Sequence, residues 1–318
     1  MQKLTKADTA RYLLEKDGFL ILTHRRPDGD TLGSAAVLCR GLRALGKTAF
    51  VMENKEITPK YRFLLDGLTK NVVDPADLLI AVDVASAGML PAGNAHLVGR
   101  IDLRIDHHGS ADSFTNKELV EPEAAACGQI IFDLLTEMGV ALDVPMADAL
   151  YTAIATDTGC FRYANTQSHT FQVAAACAAV SPNLPELNRI LFETNSLARL
   201  RIQGWLVENA RFLADGQICI CALPLAVEKE LGVTEDDMEN ISGVPRTIEG
   251  VKIAATLREE KDTGKIKISV RCLPEYDAGA ICAKLGGGGH KGAAGASLAL
   301  SMEEAVHAVI AAMPVIDN

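Results

Sequence analysis

Four groups of aspartate and histidine residues, each at the end of an apolar run in the first half of the chain, constrain most strongly what this sequence can fold into. They are His24-Arg-Arg-Pro-Asp28-Gly-Asp30, Asp83 after Leu-Leu-Ile-Ala-Val, Asp106-His107-His108, and Asp157 in Thr-Asp-Thr-Gly. Ligand sites gather at strand ends in α/β sheets. Two histidines and four aspartates converging there would form a cage for two divalent metals. The pattern indicates hydrolysis of a phosphate ester.

Length and composition bound the class of protein. The 318 residues suffice for two domains, and 48% hydrophobic with 23% charged residues is typical of a soluble globular protein. No apolar stretch reaches the length of a membrane span, and the N-terminus has no signal-peptide core, so we expect a cytoplasmic protein without a membrane partner. The eight cysteines form no Cys-x-x-Cys pair and indicate reduced, mostly buried thiols.

The net charge of the protein limits the length of its expected substrate. The formal net charge is −10, whereas proteins that hold long nucleic acid usually show a basic footprint. A phosphate-ester substrate is therefore expected to be short. Bound metals and a few placed arginines would then supply the local positive field.

The first half of the sequence alternates strand and helix patterns. Residues 18–23, 77–84 and 97–105 are predicted as strands, and 30–45, 127–138 and 146–156 as helices. Gly33 and Ser34 are expected to let the first of these helices pack close to the sheet. Residues 166–214 are predicted to be helical, with a break at 181–185. The alternation predicts an α/β fold with a doubly wound, mostly parallel sheet.

A different pattern begins near residue 217. Strands are predicted at 217–223, 251–258 and 265–272, the last two joined by a turn at 259–264. A helix at 277–285, a glycine-rich run at 286–295, a strand and a final helix from Met302 follow. These patterns predict a catalytic domain over 1–185, a helical linker over 186–214 and a smaller α+β domain over 215–318.

Each group of residues taken alone also fits a structural role. Asp30 could be a helix N-cap, Asp83 a capping residue, and Asp106-His107-His108 an exposed polar loop. Arg162 could pair with Asp157. The consecutive glycines could form a flexible hinge.

The ordered set of motifs resembles the DHH phosphoesterase superfamily, named for its Asp-His-His. The order His-x-x-x-Asp-x-Asp, Asp, Asp-His-His, Asp matches the four family motifs. Gly287-Gly-Gly-His290-Lys-Gly-Ala-Ala-Gly295 resembles the mark of the associated C-terminal DHHA1 domain. In length and motif wording the chain is similar to the stand-alone nanoRNase/pAp phosphatase (oligoribonuclease) group, and that group also resembles the nuclease domains of single-strand exonucleases.

The resemblance implies a role for each matching residue. His24, Asp28 and Asp83 would hold one manganese ion, and Asp30, Asp83, His107 and Asp157 a second, with Mg²⁺ or Co²⁺ as alternative ions. His108 would hydrogen-bond the phosphate or protonate the leaving oxygen, with Asp106 supporting it. The substrate phosphate would be bound by Arg271, Gly287, Gly288, Gly289 and His290. The implied substrates are short oligoribonucleotides (nanoRNA) and 3'-phosphoadenosine 5'-phosphate (pAp).

Three positions depart from the family pattern. Relatives often have an asparagine soon after Asp-His-His, where this chain has Gly109-Ser-Ala-Asp-Ser; they have Ser-Thr where it has Ala126-Cys127, and a serine where it has Cys272. The alternatives are a phosphodiesterase for cyclic di-AMP or its linear product pApA, an inorganic pyrophosphatase, and a non-enzymatic nucleotide-binding protein. A homodimer is left open.

Overall fold

The computed structural model of the chain describes residues 2–109, 114–261 and 263–316. It divides into two compact units, Met1–Thr194 and Asn195–Asn318, so the division falls inside the segment predicted as a linker. The departure at Ser110-Ala-Asp-Ser113 and turn residue Asp262 lie outside the described residues.

A seven-stranded sheet in which every pairing is parallel forms the first unit, as the α/β prediction requires. The order β1-β7-β6-β5-β2-β3-β4 reverses direction between β2 and β5, which is how a doubly wound sheet creates a crevice at its carboxyl edge. The strands are β1 (Gln2–Lys3), β2 (Phe19–Leu22), β3 (Ala49–Met52), β4 (Thr69–Lys70), β5 (Leu78–Val82), β6 (Ile101–Asp106) and β7 (Lys117–Val120).

The helices of this unit enclose its larger apolar core on one face of the sheet, while Leu90 and Leu97 from 3-10 turns pack on the other face. The helices are α1 (Lys6–Glu15), α2 (Gly29–Ala44), α3 (Cys127–Glu137), α4 (Val144–Asp157), α5 (Ser168–Val180) and α6 (Leu184–Asn188), which continues into a π-helical turn at Arg189–Glu193. The 3-10 segments are Pro59–Leu65, Ala87–Met89 and Ala92–Arg100.

The second unit is the predicted α+β domain with a six-stranded sheet. Its order is β12-β13-β11-β10-β9-β8, in which β9 and β10 are parallel and the other pairs antiparallel. The strands are β8 (Arg211–Leu213), β9 (Ile218–Leu223), β10 (Ile253–Glu259), β11 (Ile266–Cys272), β12 (Gly288–Gly289) and β13 (Ala293–Leu298). The helices are α7 (Leu197–Glu208), α8 (Leu225–Leu231), α9 (Ala278–Ala283) and α10 (Met302–Ala312), with 3-10 turns at Asp236–Met238 and Ile241–Thr247.

Two element predictions were wrong in part. The strand predicted over 97–105 begins only at Ile101, because residues 92–100 form 3-10 turns that place Leu97 in the core. The helical segment predicted over 166–214 ends with β8, which pairs with β9 instead of continuing the helix. Elsewhere, all eight cysteines are free, and all but Cys160 are buried. No helix in the described part of the chain is long and apolar enough to cross a membrane.

Two glycines on α2 allow a close approach to α4. A β-carbon at Gly33 would lie 2.3 Å from the Ala149 carbonyl oxygen, and one at Gly29 would lie 2.5 Å from Oγ1 of Thr156. Gly33 therefore serves a helix–helix contact, and the expectation that it packs against the sheet was wrong. The contact brings the start of α2 beside the end of α4.

We predict that Gly33→Ala destabilises the protein by about 1–3 kcal/mol, because the methyl group meets a backbone atom that cannot rotate away. Gly204→Ala on α7 is the matched control, since a β-carbon there meets nothing within 4 Å. The control should be neutral or stabilising by up to ~1 kcal/mol. Thermal unfolding of both variants checks this, and an unchanged midpoint for Gly33→Ala would contradict it.

Candidate metal centre

Three neighbouring strands deliver the predicted ligands to one edge of the first sheet. β5 lies between β2 and β6, and all three run parallel. His24 follows β2, Asp83 follows β5, and His107 follows β6. Because the carboxyl ends of parallel strands meet at the same edge, residues far apart in the sequence become neighbours.

Within the described residues, the six predicted metal ligands fall into overlapping groups. In each group the donor atoms lie within 4.8 Å of one another. The groups are His24 with Asp28 and Asp83, Asp30 with His107 and Asp157, and Asp83 with His107 and His108. The first group is the set that the resemblance assigned to one ion, and the second contains the residues assigned to the other ion except the shared Asp83.

Asp83 connects the groups. Its Oδ2 lies 3.7 Å from Nε2 of His24, and its Oδ1 lies 3.5 Å from Nε2 of His107. The residue has a left-handed backbone (φ 57°) and is buried, and its Oδ1 accepts no hydrogen bond from any residue the structure describes. A buried carboxylate oxygen without a donor fits a metal ligand, because such an atom is costly to leave unsatisfied.

Burial and crowding raise the pKa of three carboxyls, those of Asp30, Asp83 and Asp157. Burial, followed by repulsion from Asp30 and Asp28, raises the pKa of Asp83 well above its usual range. The same causes raise the pKa of Asp157 to about 8. Divalent cations at these positions would offset that repulsion.

Asp28, and not Asp30, is the N-cap of α2. Its Oδ1 accepts hydrogen bonds from the backbone N–H groups of Asp30 and Thr31, each at 3.1 Å. Burial pushes the pKa of Asp28 up, but His24 and these backbone donors hold it below its usual value. The same Oδ1 lies 3.7 Å from Nε2 of His24, so the capping carboxylate faces the candidate metal site.

Asp30 is held by the start of α3, a contact that the sequence did not reveal. Its Oδ2 accepts from the N–H of Cys127 at 2.6 Å, and its Oδ1 accepts from the N–H of Gly128 and the hydroxyl of Ser34, each at 2.9 Å. A helix N-terminus favours a negative charge. Cys127, which stands out in the sequence only as a departure from the family pattern, thus supports a predicted ligand through its backbone.

Backbone carbonyls fix the tautomers of two histidines. Nδ1 of His24 contacts the Arg25 carbonyl at 2.7 Å, and Nδ1 of His107 contacts the Ala124 carbonyl at 3.2 Å. Since a carbonyl only accepts, each Nδ1 carries the proton. Nε2 of each ring then faces the carboxylates and is the nitrogen that could bind a metal.

His108 is paired differently. Its Nδ1 lies 2.8 Å from Oδ1 of Asp106, and the same oxygen accepts the backbone N–H groups of His107 and His108. Burial raises the pKa of the Asp106 carboxyl, but these bonds and Arg104 hold it below its usual value. Asp106 therefore orients His108, and the group is not a solvated polar loop.

The alternative in which Arg162 pairs with Asp157 does not describe the contacts of these two side chains. The Nε of Arg162 donates to the Gly159 carbonyl at 2.5 Å. Oδ2 of Asp157 lies 3.5 Å from Nε2 of His107.

The predicted phosphate-binding residues lie together in the second unit. β12, part of the glycine-rich run, pairs with β13, so the run is no hinge. A β-carbon at Gly287 would meet the Gly295 carbonyl oxygen at 2.2 Å. The N–H of Gly287 is already used, because it donates to the Cys282 carbonyl. β12 is the outer strand of the sheet, and no described strand pairs with one side of its backbone. In the same sheet, Arg271 on β11 pairs in register with Ala293 of β13.

Comparison with known families agrees with this architecture. Residues 18–154 match the model described as the DHH family, N-terminal domain, and residues 216–313 match the DHHA1 domain. The chain belongs to the DHH family and carries a DHHA1 domain after its DHH domain.

Two relatives and one solved structure show how far the similarity extends. The bifunctional oligoribonuclease and PAP phosphatase NrnA of Thermus thermophilus is 33% identical over 92% of this chain and 88% of its own. The cyclic-di-AMP phosphodiesterase GdpP of Geobacillus thermodenitrificans is 26% identical over 90% of this chain but 45% of its own. An exopolyphosphatase-related protein from Bacteroides fragilis superposes with a TM-score of 0.83 at 24% identity, covering 96% of this chain and 95% of that one, which shows the shared fold.

The raised pKa of Asp157 predicts a pH-dependent stability of the metal-free protein. The carboxyl titrates near 4 when unfolded and at about 8 when folded, so its contribution to stability is present below pH ~4 and lost as pH rises toward 8. An asparagine amide at this position cannot ionise. In chelator, Asp157→Asn should therefore be more stable than wild type at pH 8, by roughly 1–5 kcal/mol, and by a much smaller margin at pH 5.

Thermal unfolding at both pH values measures the effect. The exposed Asp66→Asn serves as the charge-matched control, with the same midpoint as wild type at each pH. A difference between Asp157→Asn and wild type that is independent of pH would show that Asp157 is not held in a repulsive cluster.

Proposed function

We propose that this protein is a metal-dependent phosphoesterase that hydrolyses short oligoribonucleotides and pAp. The observation that carries the proposal is the position of Asp83, whose two oxygens face His24 on one side and His107 on the other. One carboxylate that serves two donor groups is what a two-metal phosphoesterase requires. The substrates follow from similarity to NrnA along nearly the whole of both chains.

The donor set fits manganese. Carboxylate oxygens suit Mg²⁺ and Mn²⁺, and the two imidazoles favour the softer ion of this pair. His24, Asp28 and Asp83 would hold one ion, and Asp30, Asp83, His107 and Asp157 the other. Bound metals supply two things: a water of lowered pKa as nucleophile, and positive charge for the phosphoryl oxygens.

The protein supplies the proton for the leaving oxygen through His108. Its Nδ1 donates to Asp106, so Nε2 is the atom that can carry a proton to the substrate. The Asp106 carboxylate, whose pKa lies below its usual range, accepts the Nδ1 proton of His108 and fixes the orientation of the ring. The side chain of His108 is 37% exposed, which allows contact with a substrate.

The second unit would bind a phosphate of the substrate. Arg271 offers a planar guanidinium for a terminal phosphate, and Gly288, Gly289 and His290 offer donors at the edge of the sheet. Recognition of one end favours short substrates, and the net charge of −10 disfavours long polyanions.

The second candidate is a phosphodiesterase for cyclic di-AMP or pApA, which the similarity to GdpP favours. That match covers less than half of GdpP, so the similarity to NrnA carries more weight. Assays of pAp, a dinucleotide, cyclic di-AMP and pyrophosphate side by side separate these activities.

We predict that hydrolysis is lost in chelator and restored by manganese. Asp83→Asn should lose most of the bound metal, because this side chain faces both donor groups, whereas His24→Ala should lose the metal of one group. Elemental analysis of the purified variants measures the metal content. Asp66→Asn, which changes an exposed aspartate in the same unit, should retain the wild-type content.

Two outcomes would contradict this assignment. Full activity in a preparation free of metal would exclude metal catalysis. A wild-type metal content in Asp83→Asn would show that Asp83 is not the shared ligand.

We also predict that pAp and dinucleotides are hydrolysed faster than a long single strand. Arg271→Ala should raise KM for the short substrates by about 10-fold or more while the metal content stays unchanged, because Arg271 contacts substrate and not metal. Lys267→Ala, an exposed cation on the same strand, is the control and should behave as wild type. Equal rates on long and short substrates would favour a processive exonuclease.

A further inference from the structure

The turn that follows Asp157 has an unusual backbone. Gly159, Cys160 and Phe161 have consecutive left-handed conformations, with φ of 57°, 58° and 62°. Non-glycine residues adopt this conformation at a cost, and such strain gathers at functional sites. Hydrogen bonds hold it: the N–H groups of Arg162 and Tyr163 both donate to the Thr158 carbonyl at 3.0 Å.

The turn places the ring of Tyr163 flat on Gly159. A β-carbon at Gly159 would lie 2.3, 2.5 and 2.6 Å from ring atoms Cζ, Cε1 and Cε2. These nearly equal distances put that position over the face of the ring and not beyond its edge. One face of the Tyr163 ring thus covers Gly159, and this close contact requires a glycine. Tyr163 itself is still 49% exposed.

The residues after Tyr163 follow the rim of the metal centre. The amide of Asn165 donates to the carbonyls of Asp157 and Ala125, and the amide of Gln167 donates to that of Glu123. The neighbouring Ala124 carbonyl holds His107. Tyr163 therefore lies four residues beyond Gly159 and two before a residue bonded to Asp157, at the border of the site.

From this geometry we infer that the exposed face of Tyr163 is a stacking surface for a nucleobase of the substrate. The inference rests on the proposed function. It adds a binding contact for the base of the nucleotide that would lie next to the metal centre. An acidic protein cannot rely on a basic surface to hold an oligonucleotide, and stacking on an aromatic ring binds any base without charge.

The test compares a dinucleotide with the same molecule lacking the base at the cleaved end. Tyr163→Leu keeps an apolar side chain over Gly159 but removes the ring. It should raise KM for the dinucleotide by roughly 5- to 100-fold and leave KM for the abasic substrate unchanged. Tyr163→Phe keeps the ring and should retain the wild-type KM. Phe63→Leu, at an exposed aromatic elsewhere in the unit, should have no effect.

A 2-aminopurine base gives a readout that does not depend on hydrolysis, because its fluorescence is quenched on stacking. Quenching by wild type and Tyr163→Phe, but not by Tyr163→Leu, is expected. Equal quenching by all three, or an equal change of KM for both substrates, would overturn the stacking surface. If wild type with manganese hydrolyses neither substrate, the proposed function fails, and the quenching alone decides the role of Tyr163.

Discussion

Repulsion among five neighbouring aspartates is the constraint on which the first unit depends. Asp28, Asp30 and Asp106 accept hydrogen bonds from backbone N–H groups of helix starts and a loop, yet burial still raises the pKa of Asp30. Asp83 has no such donor at Oδ1 among the described residues, and its pKa is raised well above the usual range. Buried charge without a partner is costly, so a bound cation would be a favourable counter-charge here. The α/β sheet, the close helix pair and the caps all serve to hold these side chains together.

The candidate ligands could be predicted from the sequence because each follows an apolar run. Parallel strand ends share an edge, and the adjacent strands β2, β5 and β6 therefore bring His24, Asp83 and His107 together. Their support could not be predicted. Asp30 is held by the N–H groups of Cys127 and Gly128, which lie 97 and 98 residues away, and a backbone donor leaves no mark in residue identity. The metal assignments themselves stay predictions.

The fold was predictable where apolar runs were long and independent of context. β5, β9, β10 and β11 lie within or one residue beyond the predicted strands, and α2 and α4 lie within two residues of the predicted helices. The short strands β1, β3, β4 and β7 were not predicted, since two to four residues become a strand only through their neighbours. The three-residue strand β8 was also not predicted, because the helical pattern of the preceding residues extends through it. The 3-10 turns at 92–100 present apolar residues to the core as a strand would.

The order of the candidate ligands along the chain determines when the centre can assemble during translation. The last of them, Asp157, ends α4, whereas the second compact unit begins only at Asn195. Domains generally fold from the N-terminus as they are synthesised. The nascent first unit can thus close its ligand cage before the residues of the second unit exist. Metal capture by this centre would then be an early step of maturation, and the proposed substrate-binding unit would be added to a cage that is already built.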